Sequence, residues 1–255
     1  MAAYESFAAV YDALTGNVDY AAMGDRLCAL LAENGAEKGI LLDLACGTGT
    51  LSALFAKRGY DVIGVDASEE MLAAAQEKRV EEGFDALFLC QKMEELDLFG
   101  TIDAAVCTLD SLNHITEEAA LREALRRVAL FMNDGGVFLF DVNTPYKHAR
   151  VLGNNTFVYD LDEVYCVWQN SFDEKTLTTK ITLDLFISDE EEDDVYFRET
   201  EEFAERAWPP EFFTEGLKDV RFEVLQIFDA DTHGALTETS ERALFVCKKH
   251  GTQFQ

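Results

Sequence analysis

The sequence predicts an α/β fold: a Rossmann-like, doubly wound seven-stranded sheet with a terminal antiparallel hairpin, plus a small antiparallel β insertion. Three observations predict it. Strand-length apolar runs alternate with helix-length segments over the first 145 residues, the pattern of a parallel sheet with crossover helices. Residues 150–208 instead alternate apolar and polar side chains between short turns, as half-buried antiparallel strands do. Two last apolar runs, 222–228 and 243–247, are joined only by a loop, so they should pair antiparallel. The expected division is a core, 1–149 with 209–255, and an insertion at 150–208.

Each element follows in order. Tyr4, Phe7, Val10, Tyr11 and Leu14 have helical spacing, and a second helix is expected over 20–34. Residues 40–44 read as a strand buried on both faces, followed by the turn Gly47-Thr48-Gly49 and a helix over 51–59. A second strand ends at Asp66. Its helix, 69–82, has Ser68 as cap and Glu69 and Glu70 at the positive end. The third strand is expected at 86–90, the fourth at 102–108, a helix at 117–132, a turn at 133–136 and the fifth strand at 137–142. Insertion strands are expected at 163–172, 176–187 and 195–206, separated by a turn at 173–175 and an acidic run at 189–194. Trp208-Pro209-Pro210 opens a short helix with proline in its first turn.

The chemistry gathers at 40–50, ILLDLACGTGT. A carboxylate, Asp43, stands just before a glycine turn and a helix N-terminus, the arrangement of a nucleotide site. The pattern is G-x-G-x-x-S, with Ser52 where a dinucleotide enzyme has its third glycine. Asp43 would repel a pyrophosphate and attract an ammonium group. Asp66 suits a ribose diol. Ribose at one end and an amino-acid ammonium at the other describe S-adenosylmethionine, and a NAD-dependent oxidoreductase is the alternative that the missing glycine disfavours.

Residues 43–75, DLACGTGTLSALFAKRGYDVIGVDASEEMLAAA, resemble the cofactor-binding half of the class I S-adenosylmethionine-dependent methyltransferases. The D-x-x-C-G-T-G loop, the second-strand acid and V-D-x-S-x-x-M-L carry the resemblance, which covers about 1–145 and 209–249. It implies S-adenosyl-L-methionine as cofactor and S-adenosyl-L-homocysteine as product. Leu44, Ala45, Cys46, Gly47, Thr48 and Gly49 would touch the methionine part, with Asp43 serving its ammonium. Asp66 would hold the ribose, and Ala67 and Met71 would lie near the adenine. Tyr11 and Tyr20 would close over the methionine end. Where the family often places an adenine-binding acid stands Lys92, so the backbone of Lys92 and Met93 is expected there. The insertion resembles that of bacterial small-molecule methyltransferases with an added β subdomain.

The rim after the fourth strand, CTLDSLNHI, offers Leu109, Asp110, Ser111, Asn113 and His114. Leu109 is cofactor-facing in the resemblance. Asp110 or His114 would orient or deprotonate an acceptor; alternatively Asp110 and Asn113 tie the turn and His114 packs. Asp141 and Asn143 are further acceptor-side candidates. The expected activity is methyl transfer to a small-molecule nitrogen or oxygen, the alternative being a regulatory protein that binds the cofactor without turnover. Deleting 152–206 should then spare cofactor affinity and abolish turnover.

Composition narrows the partners. The chain has 21 Lys and Arg against 49 Asp and Glu, a net charge of −28, and the stretch 151–206 alone holds 16 acidic and 4 basic residues. Such a surface repels phosphate backbones and anionic lipid, so neither nucleic acid nor membrane is an expected partner. The N-P-P-[YF] tetrapeptide of amino-methylating nucleic-acid enzymes is replaced by Asp110-Ser111-Leu112-Asn113. Six scattered cysteines without a C-x-x-C pair suit a reducing cytoplasm, and four histidines lack metal spacing. No segment reads as a signal peptide or a bilayer-spanning run.

Overall fold

The computed structural model describes residues 4–189 and 195–251. Helices α1 (Tyr4–Leu14) and α2 (Tyr20–Glu33) precede β1 (Gly39–Leu44), α3 (Thr50–Lys57), β2 (Tyr60–Asp66), α4 (Glu69–Glu82) and β3 (Ala86–Cys90). Then come β4 (Ile102–Cys107), α5 (Glu118–Phe131) and β5 (Met132–Asn143). A separate antiparallel sheet follows, β6 (Thr156–Asp160), β7 (Val164–Asp173), β8 (Thr178–Ser188) and β9 (Tyr196–Arg206). α6 (Pro210–Asp219), β10 (Phe222–Asp229) and β11 (Arg242–Lys249) complete the chain. β11 pairs antiparallel with both β5 and β10, which gives a seven-stranded order of β10-β11-β5-β4-β1-β2-β3.

Burial explains the sequence pattern. β1 and β4 lie inside the sheet, and Leu41, Leu42, Leu44, Ala104, Ala105 and Val106 have no exposed surface. Strands covered on both faces need apolar residues at every position, so they show no alternation. Leu27, Leu30 and Leu31 of α2, with Leu51 and Phe55 of α3, cover one face. Leu121, Leu125 and Val128 of α5, with Phe213 and Leu217 of α6, cover the other. The chain reverses its direction of winding between β1 and β4. Their carboxyl ends therefore open on a crevice, where open α/β sheets bind ligands.

The second sheet packs its inner face on the N-terminal helix. Val164, Cys166, Ile181, Leu183 and Leu185 surround Val10, with Phe7 and Leu14 alongside. Removing 152–206 would uncover that side of α1. The expectation that such a deletion spares the cofactor site is thus not supported by the packing.

Three local features depart from the sequence reading. β6 was not anticipated: it is an edge strand whose Phe157 and Tyr159 meet Trp168 at ring distances of 6.1 and 6.4 Å. Nor was the π-helical turn Lys147–Leu152. The turn expected at 133–136 is instead an irregular start to β5, because Met132 pairs with Ile102 before the register shifts to Ala104 opposite Val137. Of the acidic run at 189–194, residues 190–194 lie outside the described residues. Among the described residues no helix is long and apolar enough to cross a membrane.

Phe140 joins β5 to the closing hairpin. Its ring has no exposed surface, stacks on Phe245 at 4.6 Å and meets Phe213 at 5.3 Å. Phe140→Ala should lower stability by about 3–5 kcal/mol. Equilibrium urea unfolding checks this: the midpoint should fall with the slope unchanged.

Candidate active site

The loop after β1 is shaped by left-handed backbone. Ala45, Gly47 and Gly49 have φ of 60°, 52° and 75°. Glycine adopts this region freely, whereas at Ala45 it is strained. Gly49 also caps α3, and a Cβ there would lie 3.1 Å from Ala75 Cβ and 3.2 Å from Phe88 Cζ. Gly47 N donates to Asp66 Oδ2 and Ser68 N donates to Asp66 Oδ1, both at 2.9 Å. The carboxylate at the end of β2 thus fixes the loop's position beside it.

Asp43 is buried beneath this loop, 2% exposed. Ser52 Oγ donates to its Oδ2 at 2.6 Å. Burial pushes the Asp43 carboxyl up to about 6, and Asp66 adds to the shift, against the Ser52 hydrogen bond. From the sequence, Ser52 registered only as the absence of a glycine; in the fold it supports the acid. A second support was also missed. Thr48 Oγ1 donates to Asp12 Oδ1 at 2.6 Å, while Lys78 Nζ reaches Asp12 Oδ2 at 2.7 Å and Thr50 Oγ1 at 2.6 Å. α1 is thereby tied to the loop and to α4, and Tyr11 projects over the same place. Burial, with Tyr20 and nearby acids, raises the Tyr11 phenol above its ordinary range, so it stays protonated.

Two joined hollows occupy the crevice. The smaller, about 30 Å³, is lined by Asp43, Cys46, Thr48, Tyr20 and Leu109. The larger, about 610 Å³, is lined by Phe7, Asp66, Ala67, Glu69, Glu70, Met71, Gln91, Met93 and His114. Tyr11, Ala45, Gly47 and Ser111 border both. Leu44 and Gly49 do not line either: Leu44 is a core side chain, and Gly49 lies against Ala75 and Phe88. Lys92 is exposed and outside the lining. Gln91 stands next to it, but its side-chain amide is used to hold the backbone of Asp97, at 2.8 and 3.1 Å.

The rim after β4 depends on another buried acid. Leu109 and Asp110 both have φ of 54°, a strained pair for side chains of their size. Asp141 holds them: Leu109 N donates to its Oδ2 at 2.9 Å and Asp110 N to its Oδ1 at 2.8 Å. Arg242, from β11, bridges Asp141 and Asp110, with Nη2 2.6 Å from Asp110 Oδ1. Burial opposes ionisation of Asp110, but Arg242, with Lys147 and His114, outweighs it and keeps the carboxyl below its usual value. So placed, Asp110 is a weak proton acceptor, and the expectation that it deprotonates an acceptor gives way to a structural role. Asn113 ties the turn further, its Nδ2 donating to Asn143 O at 3.1 Å and Arg206 O at 2.8 Å. Asp141 and Asn143 are buried under the rim and do not line the hollows.

His114 does line the larger hollow, its ring stacked on Phe203 of β9 at 5.1 Å. The surrounding walls lower its proton affinity more than Asp110 raises it. Its side chain keeps 46% of its surface open, so solvent screens part of that effect. Behind it stands Glu205, also on β9, which no pattern in the sequence marked. One polar atom each of Asp110, His114 and Glu205 lies within 4.8 Å of the others.

A family model described as a methyltransferase domain matches residues 41–136. The Bacillus subtilis protein named "Putative methyltransferase YqeM" is 34% identical over 250 residues, 98% of both chains. The solved structure of an S-adenosylmethionine-dependent methyltransferase from Clostridium acetobutylicum is 33% identical, with a TM-score of 0.87 over 97% of this chain and 99% of that one. This chain belongs to the class I S-adenosylmethionine-dependent methyltransferases. The sugar N-methyltransferase KedS8 from Streptoalloteichus shares the fold at 22% identity, with a TM-score of 0.76 over 95% of this chain and 93% of its own.

The methyltransferase cleft suits its cofactor chemically. S-adenosylmethionine carries a sulfonium and an ammonium, and the lining supplies Asp43, Asp66, Glu69 and Glu70. The left-handed bend at Gly47 keeps the backbone bare there: a Cβ would project toward Tyr11 Cε1 at 3.9 Å.

Holding Asp43 ready costs stability. Its carboxyl titrates near 6 when folded and 3.8 when unfolded, so the folded form binds the proton more tightly. Stability is lost as pH rises from about 4 to 6, and the loss is constant above that, roughly 3 kcal/mol from the shift. Asp43→Asn should therefore be no less stable than the parent at pH 7, its relative advantage growing through that window. Its affinity for S-adenosylhomocysteine should fall at least about tenfold, a loss of ~1.4 kcal/mol or more. Thermal unfolding at several pH values and titration calorimetry check the two halves.

Proposed function

We propose that this methyltransferase transfers a methyl group to a nitrogen of a small, neutral or cationic molecule, in the cytoplasm. The charge of the cleft carries this reading. Four acids line it, and among the described lining residues there is no lysine or arginine. Walls of that sign favour an amine beside a cationic cofactor and disfavour phosphate, carboxylate and nucleic acid. The name of KedS8 places a nitrogen acceptor in a protein of the same fold, which supports the reading. Six unpaired cysteines support the compartment.

In this reading Asp43 and the backbone of 45–48 hold the methionine end, Asp66 holds the ribose, and Met71 and Met93 enclose the adenine. The bound cofactor supplies an electrophilic methyl group. What the chain adds is placement, exclusion of water and removal of a proton. Tyr11 covers the methionine end. The insertion forms the acceptor-side wall through Phe203, and its residues select the acceptor. His114, the one imidazole among the described lining residues, takes the proton that the acceptor nitrogen loses.

A panel of small amines, alcohols, amino acids and nucleotides, read by release of S-adenosylhomocysteine, tests this. Neutral or cationic primary and secondary amines should turn over. Turnover confined to alcohols, anionic acceptors or polynucleotides would contradict the reading. With an active amine, His114→Asn should lower kcat by about 10²-fold or more while leaving cofactor affinity within about twofold.

A further inference from the structure

The wall behind His114 contains an unsatisfied carboxyl group. Glu205 is 3% exposed. Its Oε1 lies 3.7 Å from His114 Nε2, and its Oε2 lies 3.8 Å from Nε2 of a second histidine, His148. His148 sits on the π-helical turn Lys147–Leu152 and is fully buried, its Nδ1 held 2.7 Å from Thr179 Oγ1 on β8. Glu205 Oε2 and His148 Nε2 are both buried, and neither has a hydrogen-bond partner. Native interiors keep few such atoms, and two that face each other across a gap just beyond hydrogen-bond length call for an explanation.

The charges around the pair come from several elements. Asp110 faces Glu205 from the rim, Lys147 from the turn, Arg242 from β11, and the Asn143 side chain from β5. Arg242 is already committed to Asp110 and Asp141. Burial first, and then Asp110, push the Glu205 carboxyl up to about 8, against Asn143, Arg242 and Lys147. Burial pushes His148 down to about 4. Near neutral pH the proton therefore rests on the carboxyl and both rings are uncharged.

One arrangement of protons satisfies both of these atoms. If Glu205 carries its proton on Oε2, a small rotation lets it donate to His148 Nε2. His148 then bears its own hydrogen on Nδ1 and donates to Thr179 Oγ1. Glu205 Oε1 is left as an acceptor, and His114 meets it with Nε2–H. His114 Nδ1 is then a bare lone pair. We propose, building on the amine reading above, that Glu205 is a positioning residue which fixes His114 in the Nε2–H tautomer, leaving Nδ1 to receive the acceptor's proton. In that step the acceptor N–H bond breaks with its electron pair kept on nitrogen, and the proton forms a new N–H bond at His114 Nδ1. Glu205 and His148 keep their protons. Fixing a tautomer through the far nitrogen is an established use of carboxyl groups beside histidine.

Ring ¹⁵N spectra of the histidine-labelled protein, saturated with S-adenosylhomocysteine, test this without any acceptor. At pH 7 the wild-type chain should show His114 protonated at Nε2 and bare at Nδ1, and His148 the reverse. Both rings should report a transition near pH 8 as Glu205 ionises. Glu205→Gln, whose amide can donate to one ring and accept from the other, should keep both tautomers and lose that transition. Glu205→Leu should shift His114 toward the other tautomer. A wild-type His114 bare at Nε2, or no transition near pH 8 at either ring, would overturn the proposal even if neither variant folds. The amine panel fails or succeeds independently of these spectra, so the two readings are separable.

Discussion

A carboxylate buried where β1 ends is the constraint on which the rest of this methyltransferase depends. A strand covered on both faces is a poor setting for an ionised group, and Asp43 is tolerated there because Ser52 donates to it and because the loop beside it opens on the cleft. The left-handed turns at Ala45, Gly47 and Gly49 bring bare backbone to the same spot. Asp66 fixes that loop from the next strand, and Asp12 and Lys78 fix it from the helices on either side. The parallel sheet exists, in functional terms, to hold these two acids at adjacent strand ends.

The β4 rim of the cleft is organised by a different buried acid. Asp141 binds two strained backbone amides of the β4 rim, and Arg242 closes the clamp from the last strand. The C-terminal hairpin thus braces the rim through one side chain. The inserted sheet touches His114 on the cleft wall through two more, Phe203 and Glu205, and the same sheet, Phe203 included, packs on α1. Because α1 also carries Tyr11 and Asp12, the insertion and the cofactor loop share a support.

How much of this was legible in the sequence varies with sequence distance. Local patterns placed α1, α4 and β3 at their observed bounds, because helical spacing, a Ser68 cap and a short apolar run are signals carried by neighbouring residues. The Asp43 loop and Asp66 were legible for the same reason: a strand, an acid and a glycine turn are contiguous. Edge strand β6 was not, since five residues paired on one side leave little periodicity. The support Ser52 gives Asp43 was not legible, because the residue registers only as a missing third glycine and its partner lies under the loop. Lys92 was named from a family resemblance for its backbone; its side chain is exposed, and Met93 beside it lines the larger hollow. Arg242, Glu205 and His148 meet their partners across 31 to 132 residues, from His148 with Thr179 to Arg242 with Asp110. Nothing short-range marks such pairs.

Cofactor recognition at Asp43 depends on opposite charge meeting in the smaller hollow. The most direct measurement is a crystal structure of the protein with S-adenosylmethionine bound. The methionine ammonium should lie on the Asp43 side of the glycine loop and the ribose hydroxyls on Asp66. A cofactor bound in the reverse sense, with its ammonium away from Asp43 and the ribose away from Asp66, would contradict it.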